Sequence, residues 1–213
     1  ANLVSNTFVQ TIGTLQGTGM VVNARSMAPQ ELQISSTTNN CTFDGVFVTP
    51  DLTNGHIRVV KNGTNTILRL TTAHSFRGTN IVNAGTMLVN AAINPSAYLV
   101  NSNGILGGTG IITAPIYLNS IVSASNNTTA YLLPGDSGGT LTVGSVYGNG
   151  RVVISNATLN VTGQLGTMSQ RLALLLLTNT AALQIPLDTN GPSAYVAEFG
   201  GEGFGAITIS CPN

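Results

Sequence analysis

Apolar residues recur at every second position along most of this chain, which is the period of a β-strand with one buried face. Glycine separates these segments at short intervals, as expected where strands end in turns. The best helical candidate, residues 170–177, could equally be a strand buried on both faces. We therefore predict an all-β protein. Its clearest alternating pairs are Leu68/Leu70, Met87/Val89, Ile116/Leu118, Leu141/Val143 and Leu159/Val161.

A second pattern has a longer period. Two apolar residues followed by asparagine occur at residues 81–83, 99–101 and 117–119, so the triplets are 18 residues apart. This length suits one three-sided coil of a parallel β-helix, in which short strands are separated by corners. Asparagine tolerates the left-handed conformation of a sharp corner and can stack on asparagine in the next coil. The spacing therefore predicts a solenoid.

Three segments differ in character. Residues 1–54 read as an irregular N-terminal β segment, residues 55–165 carry the repeats, and residues 166–213 read as a C-terminal β cap containing a leucine run and a glycine-rich stretch. We expect one continuous domain built from these three parts, since all-β folds of this length often form a single unit.

Composition narrows the classes of partner. Hydrophobic residues make up 42% of the chain, which is enough for a core, whereas charged residues make up only 7% and the net charge is zero. The few basic residues are scattered and could not neutralise the phosphates of a nucleic acid, so we expect no nucleic-acid partner. The longest apolar run, residues 172–177, is far too short to span a bilayer. Ala1 suits a mature N-terminus left after removal of a signal peptide.

Several blocks resemble the autotransporter-associated passenger repeat. They are KNGTNTILRLT at residues 61–71, FRGTNIVNAGTMLVN at 76–90, LGGTGIIT at 106–113 and LPGDSGGTLTV at 133–143, in the order and spacing of that family over roughly residues 60–165. The resemblance implies a right-handed parallel β-helix exported to a bacterial cell surface. Autotransporters also carry a C-terminal translocator, which no segment here resembles. We therefore expect a passenger fragment or a stand-alone secreted protein, and favour the second.

One motif resembles a catalytic centre. Residues 135–139, GDSGG, match the nucleophile loop of trypsin-like proteases around Ser137, and residues 72–74 resemble the segment around their catalytic histidine, which would make His74 the base. A triad also needs a carboxylate to orient that imidazole. No acidic residue lies between His74 and Asp136, where that family has it. The passenger repeat has the same turn as an ordinary corner, so we predict no protease.

Other candidates for chemistry are weak as well. A β-helix lyase or hydrolase would need paired acidic groups, and the only close pair is Glu198 and Glu202 in a glycine-rich loop. His56 and His74 are 18 residues apart, but two imidazoles without a third ligand make a poor zinc site. We therefore predict no enzyme activity, no catalytic residue, no metal and no cofactor. No acidic partner set is apparent for the basic residues Arg58, Lys61, Arg69 and Arg77.

Cys41 and Cys211 are a candidate disulfide, because two cysteines in a secreted chain suggest a bridge. In a solenoid the two positions would lie far apart unless the terminal segments fold back along the stack, so the bridge could lie within one chain or between two. Six sequons occur, about as many as chance provides, and they are weak glycosylation candidates: Asn40, Asn62, Asn126, Asn127, Asn156 and Asn160.

The leading functional hypothesis is a secreted structural protein that self-assembles into an extracellular filament or surface coat. Both ends of a β-helix stack expose unpaired backbone N–H and C=O groups that invite pairing with another chain. An N-terminal strand with alternating residues Leu3, Ser5, Thr7 and Val9 could add to a neighbouring subunit. Two alternatives are a monomeric cell-surface adhesin that binds glycans along its polar face, and a β-helix polysaccharide lyase or hydrolase. The expected partners are copies of the same chain and, in the first alternative, surface glycans.

Overall fold

The computed structural model describes residues 2–3, 9–23, 30–49, 56–74, 78–122, 127–186, 194, 199–202 and 206–210. These residues form short β-strands and no helix, and so no apolar helix that could span a bilayer. The predicted all-β class is confirmed. The strands are β1 (Asn2–Leu3), β2 (Val9–Ile12), β3 (Met20–Asn23), β4 (Gln30–Ile34), β5 (Cys41–Phe43), β6 (Val46–Val48), β7 (Ile57–Lys61), β8 (Ile67–Leu70), β9 (Thr79–Val82), β10 (Gly85–Val89), β11 (Ala97–Asn101), β12 (Gly104–Gly108), β13 (Ile111–Ile112), β14 (Ile116–Asn119), β15 (Ile121–Val122), β16 (Asn127–Thr128), β17 (Tyr131–Pro134), β18 (Thr140–Val143), β19 (Val146–Gly148), β20 (Arg151–Ser155), β21 (Thr158–Val161), β22 (Leu174–Thr178), β23 (Ala182–Pro186), β24 (Phe199–Glu202) and β25 (Ala206–Ser210).

Three long parallel sheets contain most of these strands. Sheet I has the order β19-β14-β11-β9-β7-β4-β2, sheet II has the order β24-β22-β20-β17-β12-β10-β8-β5, and sheet III has the order β13-β18-β21-β23-β25. A smaller sheet, β1-β3-β6, is also parallel, whereas β15 and β16 form an antiparallel pair. Parallel pairing therefore dominates the part of the chain that the structure describes.

Consecutive strands of the chain lie in different sheets. From β11 the chain passes from sheet I to sheet II at β12, to sheet III at β13, and back to sheet I at β14. In the two passes before β13, isolated parallel bridges take the place of a strand. His74 pairs with Ile93, and Ala92 pairs with Ile111, the first residue of β13. Most strands of these sheets thus pair with strands from the preceding and following passes of the chain, which requires crossover connections rather than hairpins. We call one such pass through the sheets a coil.

The predicted 18-residue register is confirmed where the triplets occur. In sheet I, Leu99 pairs with Ile81 on one side and with Tyr117 on the other, 18 residues away in each direction. The next interval is longer, because Tyr117 pairs with Tyr147 and the β15–β16 hairpin lies between them. The repeat length is therefore set coil by coil, while the pairing stays parallel.

The core consists of inward-facing columns, one residue from each strand. In sheet II, Leu68, Met87, Leu106 and Leu132 pair in sequence and are fully buried. The alternating pairs picked out from the sequence all lie in this core. Burial of such side chains is the main term that stabilises the fold.

Two details differ from expectation. The triplet asparagines are not left-handed; the non-glycine residues with positive φ are Asn65, Asn103, Ser137, Asn156 and Asn179 among the described residues. Asn103 lies two positions after a triplet, so the sharp turn comes after the asparagine that stacks. Residues 170–177 contain no helix: β22 has Leu175 and Leu177 buried and Leu174 and Leu176 half-exposed.

Parallel pairing runs across both predicted segment boundaries. Gln30–Ile34 pairs with Ile57–Lys61, and Thr158–Val161 pairs with Ala182–Pro186. The division at residues 54 and 165 stays a prediction, but the described strands on either side belong to the same sheets.

Candidate functional site

A row of amide side chains lies at the turns by which the chain leaves the strands of sheet I. The Nδ2 of Asn101 donates to Oδ1 of Asn83 at 2.7 Å, and the Nδ2 of Asn83 donates to Oδ1 of Asn62 at 2.7 Å. The Nδ2 of Asn62 in turn donates to Oε1 of Gln33 at 3.2 Å. We call Asn62, Asn83 and Asn101 the asparagine ladder. The predicted stacking of asparagine on asparagine is confirmed.

Beside this ladder, two cavities adjoin at Asn103. Their volumes are about 440 and 400 Å³. The first contains Gly85, whose φ is +70° and where a Cβ atom would lie 2.2 Å from the carbonyl oxygen of Gly63, so no larger residue fits. We call the two cavities together the corner groove. The first is lined by Thr64, Asn65, Gly85, Thr86, Asn103 and Ile105, and the second by Asn101, Ser102, Asn103, Asn119, Ser120, Ile121 and Thr128.

The walls of the groove are held by hydrogen bonds. The backbone N–H of Ile121 donates to Oγ of Ser102 at 2.7 Å, and that hydroxyl donates to the carbonyl oxygen of Asn119 or Thr128, each at 3.2 Å. The backbone N–H of Asn103 donates to the carbonyl oxygen of Thr129 at 3.0 Å. These bonds tie successive coils together at the groove.

A second candidate surface lies on the outer face of sheet II. Outward positions on a solvated sheet are usually polar, yet here a row of half-buried apolar side chains crosses several strands. In register, Leu133 of β17 is followed by Val153 of β20 and Leu176 of β22. We call this set the outer stripe. It comprises Tyr131, Leu133, Val153, Leu174 and Leu176, with the exposed Arg151 between Tyr131 and Leu174.

The GDSGG loop has a structural role. Arg69 Nε donates to Oδ2 of Asp136 at 2.9 Å, and Arg69 Nη2 donates to Oδ1 at 3.2 Å. Asn90 Nδ2 also donates to Oδ2 of Asp136 at 2.9 Å. The hydrogen bond from Arg69 is the main reason that the pKa of Asp136 is lowered. Ser137 occupies a left-handed turn with φ 70° beside this network.

His74 lies inside the fold. It is only 6% exposed, and its ring is 5.1 Å from that of Phe47 and 6.4 Å from that of Phe43, measured between centroids. Burial lowers the pKa of His74 to about 4. His56 lies at the entry to β7 in sheet I, so the two imidazoles are in different columns. Within the described ranges no group of three metal-ligating side chains occurs.

Comparison with known proteins returned no relative. No protein-family model, no curated protein and no solved structure matches this chain.

The remaining predicted site residues are distributed over the fold. Leu3 lies in β1, which pairs with β3, and Val9 lies in β2, which pairs with β4; Ser5 and Thr7 lie outside the described residues. The segment predicted to join a neighbour thus pairs within its own chain here.

Cys41 is buried in β5. Its candidate partner Cys211 lies outside the described residues, so the disulfide stays a prediction.

The acidic pair and the sequons stay predictions too. Glu202 is in β24, and Glu198 lies outside the described residues. Among the sequons, Asn40 accepts a hydrogen bond from the N–H of Ile67 at 2.8 Å and Asn156 accepts one from Thr180 at 3.2 Å. Asn62 belongs to the ladder, Asn160 is half-buried in β21, Asn127 is in β16, and Asn126 lies outside the described residues.

Sequence reasoning missed the partners of the basic residues. Arg58 pairs with Glu31 across neighbouring strands at 2.5 Å, and Arg69 pairs with Asp136. Two of the four cations, Arg58 and Arg69, thus have single acidic partners that come from other coils, while Arg77 lies outside the described residues. Lys61 is 1% exposed, and its Nζ donates to Thr66 Oγ1 at 2.9 Å and to the carbonyl oxygen of Gly63. Burial is the main reason that the pKa of Lys61 is lowered.

Proposed function

We propose that this chain is a non-enzymatic structural protein of a bacterial surface or exterior, wound as a right-handed parallel β-helix, whose copies associate into a filament or coat. The rotation of the chain through three parallel sheets supports the helical winding, and nearly all known crossovers between parallel strands are right-handed. The passenger-repeat resemblance supports export.

The outer stripe is the observation that carries the proposed assembly. A row of half-exposed apolar side chains on a sheet face is unfavourable in water, and its burial by a partner is favourable. The row crosses strands in register, so a second copy can lie against it with matching spacing. The chain has no net charge to oppose close approach of two copies.

Strand donation by the N-terminal segment requires more rearrangement. β1 and β2 are edge strands that pair with β3 and β4 of the same chain, so transfer of either strand to a neighbouring copy would break those hydrogen bonds. Contact through the outer stripe requires no such opening. We therefore place the proposed contact on sheet II.

The non-enzymatic part of the proposal is supported by the two residues that resembled a catalytic pair. His74 is buried between aromatic rings in the core, and Ser137 stands in a turn whose neighbouring carboxylate is bound by Arg69. Both residues have structural environments that account for their presence.

The test is a pair of matched double variants. Leu133→Lys with Val153→Lys places two cations in the outer stripe, whereas Thr142→Lys with Asn160→Lys places two cations in register on the outer face of sheet III. We expect the wild type and the sheet III variant to form fibres or large oligomers, and the stripe variant to remain near 21.8 kDa. Sedimentation and negative-stain microscopy measure this, with circular dichroism confirming that each variant is folded.

A wild type that stays monomeric at all accessible concentrations would contradict the assembly. If both double variants remain monomeric to the same extent, the outer stripe is not the contact. Removal of residues 1–12 tests the alternative: loss of fibres from that variant, with the stripe variant unaffected, would favour strand donation.

A further inference from the structure

The corner groove combines chemical features that suit one class of ligand. Its lining side chains are amides, hydroxyls and two isoleucines, with no charged residue among them. Ile121 is 52% exposed. Neutral sugars present hydroxyl groups that donate and accept hydrogen bonds, together with apolar C–H faces. A binding site with a few placed polar groups on a partly apolar wall suits such a molecule.

The asparagine ladder adds a regular row of hydrogen-bonding groups beside the groove. Each side-chain amide has two N–H donors and an oxygen with two lone pairs. Asn101, which also lines the second cavity, uses one N–H in its ladder bond to Asn83, so its other N–H and its side-chain oxygen remain for a ligand. The ladder bonds also fix the orientation of the amide, which lowers the entropic cost of binding.

The spacing along the groove favours a chain over a single sugar. Neighbouring strands of a sheet lie about 4.8 Å apart, so the ladder amides repeat at that distance along the stack. The first cavity is lined by residues 64–65, 85–86, 103 and 105 and the second by residues 101–103, 119–121 and 128, so both cross successive coils and they meet at Asn103. A ligand that fills both must extend across several strands.

We propose that the corner groove binds an extended neutral oligosaccharide, with Asn101, Asn103 and Asn119 as hydrogen-bonding residues and Ile105 and Ile121 contacting sugar rings. Binding at this corner goes beyond assembly through sheet II and does not require it, since the groove lies within one chain.

Asn103 offers the sharpest test because it lines both cavities. Its φ is 73°, a conformation that glycine adopts without strain, so Asn103→Gly removes the amide and keeps the turn. Asn156 is the matched control: it is also exposed, has φ 51°, and lies at the corner between β20 and β21. Asn156→Gly makes the same chemical change outside the groove.

The experiment titrates the full chain by calorimetry with cellohexaose, laminarihexaose, maltohexaose, xylohexaose and mannohexaose, with hexagalacturonate as the anionic comparison. We expect at least one neutral hexasaccharide to bind, and to bind more tightly than its trisaccharide. Loss of the Asn103 amide should weaken that binding about tenfold, as expected for one or two lost hydrogen bonds. Asn156→Gly should leave it unchanged.

Repeating the titration in the Leu133→Lys/Val153→Lys background separates the two proposals, since binding should persist when assembly is lost. Three results would overturn the inference. They are the absence of binding by every neutral hexasaccharide at millimolar concentration, tighter binding of hexagalacturonate, and equal weakening by the two glycine variants.

Discussion

Arg69 and Asp136 are 67 residues apart in the chain, yet the guanidinium Nε lies 2.9 Å from the carboxylate Oδ2. Arg69 is on β8, and Asp136 follows β17, so the ion pair crosses the strands β10 and β12 on the outer face of sheet II. Asn90 donates to the same carboxylate. The loop after β17 is thereby fixed to coils formed much earlier in the chain.

Asp136→Asn should lower the free energy of unfolding by about 1 kcal/mol at pH 7, because both side chains are partly exposed and solvent screens the pair. The pKa of Asp136 is lowered in the folded state, chiefly by the hydrogen bond from Arg69. Its contribution is therefore present above the pKa of the unfolded state, near 3.8, and is lost as the pH falls through the folded value.

Urea unfolding followed by circular dichroism at pH 7 and pH 2.5 measures this difference between wild type and variant. Arg69→Gln and the double variant complete a cycle that isolates the coupling between the two residues. A difference that is equally large at both pH values would contradict the role of the charge.

His74 should make the protein less stable as the pH falls. An unfolded histidine takes up a proton near pH 6.5, whereas the buried imidazole stays neutral down to about pH 4. The free energy of unfolding should therefore decrease by up to about 3 kcal/mol across this interval. His74→Phe, which fits the aromatic surroundings, should flatten the dependence in urea titrations between pH 7.5 and 4.5. Burial and the charge of Arg58 lower the pKa of His56 as well, so His56→Gln, at the less buried histidine, should flatten the slope less. An unchanged slope in His74→Phe would refute the assignment.

The asparagine ladder should be energetically coupled. Asn83→Ala and Asn101→Ala should each cost about 0.5–1.5 kcal/mol, the usual net worth of a hydrogen bond. Because they share one hydrogen bond, the double variant should cost less than the sum of the two singles. Asn160→Ala combined with Asn101→Ala should be additive, since Asn160 lies on sheet III. Additivity in the first pair would show that the ladder bond contributes nothing to stability.

Tyr98→Phe should stabilise the protein. The Tyr98 ring is fully buried in β11, and its hydroxyl lies near the side chain of Asn80 but makes no well-aligned hydrogen bond among the described residues. Burial raises the pKa of this hydroxyl. Removing a poorly satisfied buried hydroxyl should raise the free energy of unfolding by about 1 kcal/mol. Urea unfolding measures this, with Val152→Ala at a fully buried position as a destabilising reference. A decrease would reveal a buried water or another partner at that oxygen.

The buried face of the strands and their register could be predicted from the sequence. Alternation identified Leu68, Met87 and Leu141 as core residues because an apolar side chain at every second position has one buried face to occupy. The asparagine triplets predicted the register because stacked coils place equivalent residues side by side. Both signals are local or periodic, and so are visible in a single sequence.

The roles of the outward-facing residues, and the contacts between distant coils, could not be predicted in the same way. Alternation implies polar residues outside, yet Leu133 and Val153 lie on the outer face, so a pattern of period two says nothing of their role. Lys61 has the charge of a surface residue but occupies an inward column between Ile34 and Val82. The pairing of Arg69 with Asp136 follows from how several coils lie together, and no spacing in the sequence reveals it.

The β15–β16 hairpin lengthens one coil by a dozen residues, yet the strands on either side, β14 and β19, keep their parallel register. A lineage could therefore add, remove or exchange sequence at this corner while the neighbouring ladders persist unchanged. Variation would collect between Ile121 and Thr128, and conservation in the columns and the corner groove. Foreign peptides grafted between Ile121 and Thr128 should be displayed without unfolding the stack that carries them.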